Sequence, residues 1–259
     1  SIPSKSLGIA LFLRMDSINI FGIRAIIEAI TAEKAIDKVW LLKSSQSQLF
    51  DQLLKILKEH NIPFSFVPVE RMERFSSKNH QGAVARIGAI NTQALEPLIA
   101  AVFEKKSNPL FVLLDGVTDA RNFGAILRSA AATGVDAIII PSSGSAPLNG
   151  DVVKTSAGGV FNVPIAKTAH LKDAIYLLQA HQVKIVGITE KATDLVYDQE
   201  LKGPLALVFG AEDIGISRGI LKLLDGQAKL PMNAAMDSLN VSVACAVVFY
   251  EWVRQNTLT

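Results

Sequence analysis

From residue 110 onward the chain repeats one pattern: a short apolar run without polar alternation, followed by a stretch with helical spacing. Strands are expected at 110–114, 137–140, 163–165, 184–188 and 205–209, with a short piece near 228–230. Helices are expected at 122–133, 151–156, 171–181, 218–224 and 238–254. A strand with one wet face must alternate, whereas a strand covered on both faces need not. This pattern therefore predicts an α/β domain built on a parallel sheet with helices on both sides. In such sheets ligands bind beyond the carboxyl ends of the strands, so the strand exits are the places to look for chemistry.

The first half is less regular. Residues 21–30 carry apolar side chains at helical spacing, 39–42, 64–67 and 83–90 read as strands, 48–59 as an amphipathic helix and 69–75 as a short helix. The polar stretch 104–109, ended by Pro109, is the best candidate for a linker. The expected organisation is an N-terminal extension (1–14), a small α/β domain (15–103), the linker (104–109) and the larger domain (110–259). In residues 1–14 a short apolar run precedes Arg14 and Met15. A signal peptide would want a longer apolar core and a small-residue cleavage site, so Met15 is expected near the natural start.

Charge adds a weak hint. The net charge is +2; residues 1–106 hold 14 basic and 10 acidic residues, and the remainder 12 and 14. A basic first half beside an acidic second suits an RNA-docking module joined to a small-molecule domain, although ordinary surface scatter gives the same numbers. The single cysteine, Cys245, excludes an internal disulfide framework, reads as a small core residue, and suits a reducing cytoplasm. No apolar run reaches the roughly 18 to 20 residues needed to cross a bilayer. No Gly-x-Gly-x-x-Gly follows an expected strand, and neither a P-loop nor a Gly-x-Ser-x-Gly elbow is found. The four histidines lack metal-ligand spacing, so no metal site is expected.

Three strand exits remain. The first is Asp115-Gly116-Val117-Thr118-Asp119-Ala120-Arg121-Asn122-Phe123-Gly124-Ala125-Ile126-Leu127-Arg128. Here a helix opens with Arg121 and carries Arg128 on the same face. A guanidinium near a helix N-terminus makes a phosphate clamp; the alternative is a solvated arginine on an outer face. The second exit is Val208-Phe209-Gly210-Ala211-Glu212, where glycine lets backbone approach a ligand and one carboxylate follows. The third is Leu230-Pro231-Met232, followed by Ser238-Leu239-Asn240-Val241-Ser242. Ser238 could equally be a helix N-cap. Asn240 at the start of so apolar a helix would need partners for its amide. That last helix is apolar nearly all round, which predicts burial either in the centre of the domain or against a second subunit.

Taken together, and with the phrase Asn79-His80-Gln81-Gly82 ahead of residue 83, these stretches closely resemble the SpoU/TrmH family of RNA ribose 2′-O-methyltransferases. The resemblance runs over nearly the whole chain from about Phe21. It implies a SPOUT domain with a deep trefoil knot, preceded by a small ribosomal-protein-like RNA-binding domain. It further implies S-adenosyl-L-methionine as cofactor, a homodimer, and an RNA substrate, with guanosine in large-subunit ribosomal RNA favoured. Carried over by motif, Asn122, Arg128, Glu212, Ser238 and Asn240 are the implied catalytic set, and Gly210, Leu230 and Leu239 the implied cofactor contacts. Ala120 departs from the family pattern, in which proline is common there. A transfer-RNA methyltransferase and a non-catalytic RNA-binding assembly factor are the competing readings.

Overall fold

The structure, a computed structural model, describes residues 17–45, 47–75, 79–233 and 236–257. The expected extension 1–14 and Met15 lie outside the described residues. Contacts divide the chain into two compact units, one comprising residues 1–90 and 148–161, the other 91–147 and 162–259.

The first unit is a four-stranded mixed sheet with helices. Its elements are β1 (Ile18–Phe21), α1 (Ile23–Thr31), β2 (Ile36–Leu42), α2 (Gln48–Glu59), β3 (Phe64–Val67), α3 (Val69–Glu73) and β4 (Ala83–Ile87). The order is β1-β4-β2-β3, with β2 and β3 parallel and the other pairs antiparallel. Helix α2 starts where the Ser47 side chain accepts a hydrogen bond from the Phe50 amide, and it buries Phe50, Leu53 and Leu57 at helical spacing. Strand β1 was not expected. Gly22, at φ 95°, breaks the chain out of it, so the helix expected from Phe21 begins at Ile23 and Phe21 instead pairs with Val84.

The second unit carries a six-stranded, wholly parallel sheet in the order β10-β8-β9-β5-β6-β7. Chain order gives α4 (Leu95–Lys105), β5 (Leu110–Asp115), α5 (Ala120–Thr133) and β6 (Ala137–Pro141). After α6 (Gly150–Thr155), which groups with the first unit, come β7 (Ile165–Thr168), α7 (Leu171–Ala180), β8 (Lys184–Ile188) and β9 (Leu205–Gly210). The last elements are α8 (Arg218–Leu221), β10 (Gly226–Ala228) and α9 (Val241–Thr257). The unalternating strands are buried on both faces, as their composition requires. One face packs against α4 and α7 through Phe111, Leu113, Ile139 and Val208. Helices α5 and α9 pack on each other, and the Phe209 and Phe249 rings meet edge-on at 5.9 Å.

Residues 104–109 differ from the linker expected there. Glu104 and Lys105 end α4, and Lys106 donates to Asp136 at 2.8 Å. The same Asp136 oxygen accepts from the Leu110 amide that opens β5, while the Lys106 amine lies 5.0 Å from the Trp252 ring centroid. Among the described residues no helix is long and apolar enough to cross a membrane.

Candidate active site

Three loops at the carboxyl edge of the six-stranded sheet are shaped by short-range bonds. Leaving β5, Asp115 accepts a hydrogen bond from the Ser217 amide at 2.8 Å. Asp119 then caps α5 by accepting from the amides of Arg121 and Asn122 at 2.9 and 2.8 Å. This places the Asn122 side chain in the first turn of α5. Leaving β9, the chain folds back so tightly that a Cβ on Gly210 would lie 2.0 Å from the Gly215 carbonyl carbon. Only glycine fits there. The turn is closed by the Gly215 amide, which donates to the Ala211 carbonyl at 2.8 Å, and it carries Glu212 out beyond the sheet.

The third loop ends at Asn240, and there the three exits meet. Asn240 Nδ2 donates to Glu212 Oε1 at 2.7 Å and to Asn122 Oδ1 at 2.9 Å, and Asn122 Nδ2 donates to the same Glu212 oxygen at 3.1 Å. Asn240 Oδ1 in turn accepts from the Ser242 amide and hydroxyl at 2.9 and 2.6 Å. The amide that seemed out of place on an apolar helix is thus the cap of that helix, with its other end committed to a carboxylate. Helix α9 consequently starts at Val241, three residues later than the expected 238, and the N-cap role open to Ser238 belongs to Asn240. Two amides and a carboxylate from separate segments form a closed triangle of hydrogen bonds that is exposed to solvent. Exposed polar groups have water as an alternative partner, so so ordered a cluster contributes little to stability and suits the orientation of a ligand.

Beside the triangle lies a cavity. Its walls include Phe209, Gly210, Glu212, Leu230, Ser238 and Leu239, so every residue implied as a cofactor contact lines it, with two of the implied catalytic ones. Its enclosed volume is about 90 Å³. Small-molecule pockets hold roughly 300 Å³ or more, so a nucleoside-sized ligand needs a wider cavity than this one. The chemistry of the walls suits such a ligand: apolar side chains such as Ile188, Leu230 and Leu239 for a flat ring, backbone at Gly210 for hydrogen bonds, and the Glu190 carboxylate for hydroxyls. Ile188, Thr189 and Glu190 were missed in the sequence, although they leave β8 in the same way that Glu212 leaves β9. A second cleft, also bordered by Glu212, is formed by Gly116, Asp119, Asn122 and Asp213 and holds about 250 Å³.

Arg128 stands apart. It is exposed on the third turn of α5 and lines neither cavity. The positive end of a helix acts only over its first turn, so helix polarity gives Arg128 no help in holding an anion. Its role has to come from its own five donors.

The comparisons with known proteins agree with this geometry. Residues 109–250 match the SpoU rRNA Methylase family, and residues 19–93 match the RNA 2′-O ribose methyltransferase substrate-binding family. The 23S rRNA (guanosine-2′-O-)-methyltransferase RlmB of Haemophilus influenzae is 36% identical over 242 residues, covering 91% of this chain and 97% of that protein. A crystal structure of an RNA 2′-O ribose methyltransferase superposes with a TM-score of 0.81 at 25% identity, over 93% of this chain and 90% of that one. The SpoU methyltransferase AviRb of Streptomyces viridochromogenes, solved with S-adenosylmethionine, shares the fold with a TM-score of 0.78 at 22% identity, over 95% and 93% of the chains. A parallel α/β sheet, three converging strand exits and these matches have one explanation: the chain belongs to the SpoU methylase family, and it is an RNA ribose 2′-O-methyltransferase.

Proposed function

We propose that this enzyme methylates the 2′-hydroxyl of a guanosine in large-subunit ribosomal RNA, in the cytoplasm and as a homodimer. The observation that carries the reading is the Asn122–Glu212–Asn240 triangle, placed against a cavity walled by Gly210, Leu230 and Leu239. The ribosomal substrate rests on the RlmB relative, which aligns over nearly its whole length. The RNA-docking role of the first unit rests on its family match.

S-adenosylmethionine, the cofactor of this reading, would supply a methyl group on a positively charged sulfur; Gly210, Leu230 and Leu239 would hold it in the cavity, and Glu190 would take its hydroxyls. A ribose hydroxyl is a poor nucleophile until its proton is polarised and its oxygen is in line with the methyl carbon. Glu212 Oε1 already accepts two amide hydrogens, which holds the carboxylate in place, and its second oxygen is the one that would receive the sugar hydroxyl. Asn122 and Asn240 keep that carboxylate in place, and Ser238 contributes a hydroxyl at the cavity mouth. Arg128 binds the phosphate beside the reacting ribose. Arginine is too weak a base to take the proton unaided, so it orients phosphate and hydroxyl.

Dimerisation is supported by α9. Its side chains Val241, Cys245, Val248, Phe249 and Trp252 are buried where it packs on α5 and β9, yet Val243 and Tyr250 remain 48% and 58% exposed with Val247 between them. That apolar stripe is what a second copy would cover. The trefoil knot is part of the same reading: the final helix α9 packs back on α5, which follows the central strand β5, beside loops that also form the cavity. Mapping 2′-O-methyl groups in ribosomal and transfer RNA from cells with and without the gene tests the substrate. Loss of one guanosine mark in large-subunit RNA is expected; loss of a transfer-RNA mark would reassign the enzyme, and no lost mark would leave an RNA-binding factor.

A further inference from the structure

The carboxyl edge of the parallel sheet holds another cleft, away from the cavity that takes the cofactor. It lies beyond the ends of β5, β6 and β7, with Asp115, Pro141 and Ala169 at the strand exits, and encloses about 470 Å³. Its floor is apolar, formed by the buried Leu171 and Ile220, and its rim carries His170, Lys172 and Tyr176. In most doubly wound sheets a cleft of this kind is where the ligand binds. Here no part of the cofactor reading uses it.

Its chemistry is specific. Tyr176 is 56% exposed and lines the cleft, so its ring is available to a ligand. Lys172 precedes it by one turn on α7, so amine and ring lie on the same helix face. The Lys172 stem runs against Gly219 of α8, where a Cβ would come within 2.8 Å of Cε and 2.9 Å of Nζ. The absent side chain thus makes room for the amine to lie along the rim. Among the described residues Lys172 is in no ion pair. The nearby acids are Asp115, which accepts from the Ser217 amide, and Asp173 in the first turn of α7. A flat aromatic face, an uncommitted ammonium group and carboxylates able to accept from sugar or base amino groups are together what a nucleotide needs. A free inorganic anion would gain nothing from the ring and would be repelled by the acids. The Asp115–Ser217 bond that closes this cleft also anchors the turn that carries Glu212, so one loop borders both sites.

We propose that this cleft is a second RNA subsite, which takes a nucleotide flanking the methylated one, stacking its base on Tyr176 and pairing its phosphate with Lys172. The proposal rests on the RNA methyltransferase reading and extends it to substrate positioning. Steady-state methyl transfer to ribosomal RNA transcripts tests it with Tyr176→Ala, Lys172→Ala and the conservative Tyr176→Phe and Lys172→Arg. Each alanine variant is expected to raise KM for RNA about tenfold, as loss of one stacked base or one phosphate contact does, with kcat falling less than twofold. The conservative variants should recover most of the loss, and calorimetric affinity for S-adenosylmethionine should stay within twofold. Wild-type KM in both alanine variants, with native circular dichroism, would overturn the proposal. Fluorescence anisotropy with the same RNA separates the two readings: an active wild type with unaffected variants sinks the subsite alone. A wild type that binds RNA without transferring methyl sinks the enzymatic reading, and the subsite is then judged by whether Tyr176→Ala weakens binding.

Discussion

The two ends of α9 are held by hydrogen-bond networks of similar size in opposite settings. At the start, Asn240 joins Asn122, Glu212 and Ser242 in the open, with all four groups reachable by water. At the finish, Glu251 is buried and accepts two bonds from Arg254 and one from Gln255. Gln255 also donates to the Gln199 carbonyl and accepts from the Leu201 amide at 2.9 Å, while Asn256 donates to the Leu201 carbonyl at 3.1 Å. A buried network is costly to leave half-made, whereas an exposed one can be replaced by water. The comparison teaches that one helix is fastened for stability at its far end, while the network at its near end is left open to a ligand, as the proposed function requires.

The sharpest way to break that contrast is at Asn240. Serine retains an oxygen to cap α9 but removes the amide that reaches Glu212, so Asn240→Ser should reduce methyl transfer by about 100-fold or more, the scale of losing one preorganised donor. The melting temperature should move by no more than about 3 °C, the equivalent of about 1 kcal/mol in a chain of this size. Activity assays paired with thermal unfolding check both halves. An unaffected rate would return Asn240 to a purely structural role. Arg128→Ala should also stop transfer, yet leave S-adenosylmethionine affinity within a few fold by calorimetry, because Arg128 lines neither cavity. Near-normal turnover would remove Arg128 from the mechanism.

At the far end the expected effects are smaller and of the other kind. Gln255→Ala deprives the Leu201 amide and the Gln199 carbonyl of their partner, at a cost of about 1–3 kcal/mol. A melting temperature lower by several degrees, with unchanged turnover per folded molecule, would support the division of labour. Glu251 gives the smallest signal. The Arg254 guanidinium, bonded to both of its oxygens, holds its carboxyl below the ordinary value. A depressed folded-state pKa means stability that is present at neutral pH and lost as pH falls through that folded value. The melting temperatures of wild type and Glu251→Gln should therefore differ at pH 7 and draw together in acid; a gap that widened in acid would contradict the assignment.

Much of this architecture was legible because burial on both faces leaves a mark in composition. The runs at 184–188 and 205–209 named β8 and the body of β9, and the exit of the second led to Gly210 and Glu212, while that of the first was passed over. Other features left weaker marks. Helix α4 contains Pro97, which reads as a breaker, but it falls in the first turn, where its missing amide hydrogen has no intrahelical partner to lose. Strand β1 is only four residues long and ends at a glycine, so it merges with the helix that follows. The Ser238 and Asn240 roles were separable only by geometry, since either residue can cap a helix. Arg128 illustrates the reverse limit: its motif position was plain, and where its guanidinium stands was not. The three exits could be named one by one, but that they touch depends on strand order, which places β9 beside β5 and brings Glu212 to Asn122 across 90 residues of sequence.

That meeting is the centre of the account, and a double-mutant cycle on single-turnover methyl transfer tests it most directly. Asn122→Ala, Asn240→Ser and the double variant would be compared with wild type on ribosomal RNA. If the two amides act only by holding Glu212, the double variant should be hardly slower than the worse single one, because each change already releases the carboxylate. Losses that simply multiply would mean that the three strand exits work independently, and that the triangle is not the methyl-transfer site.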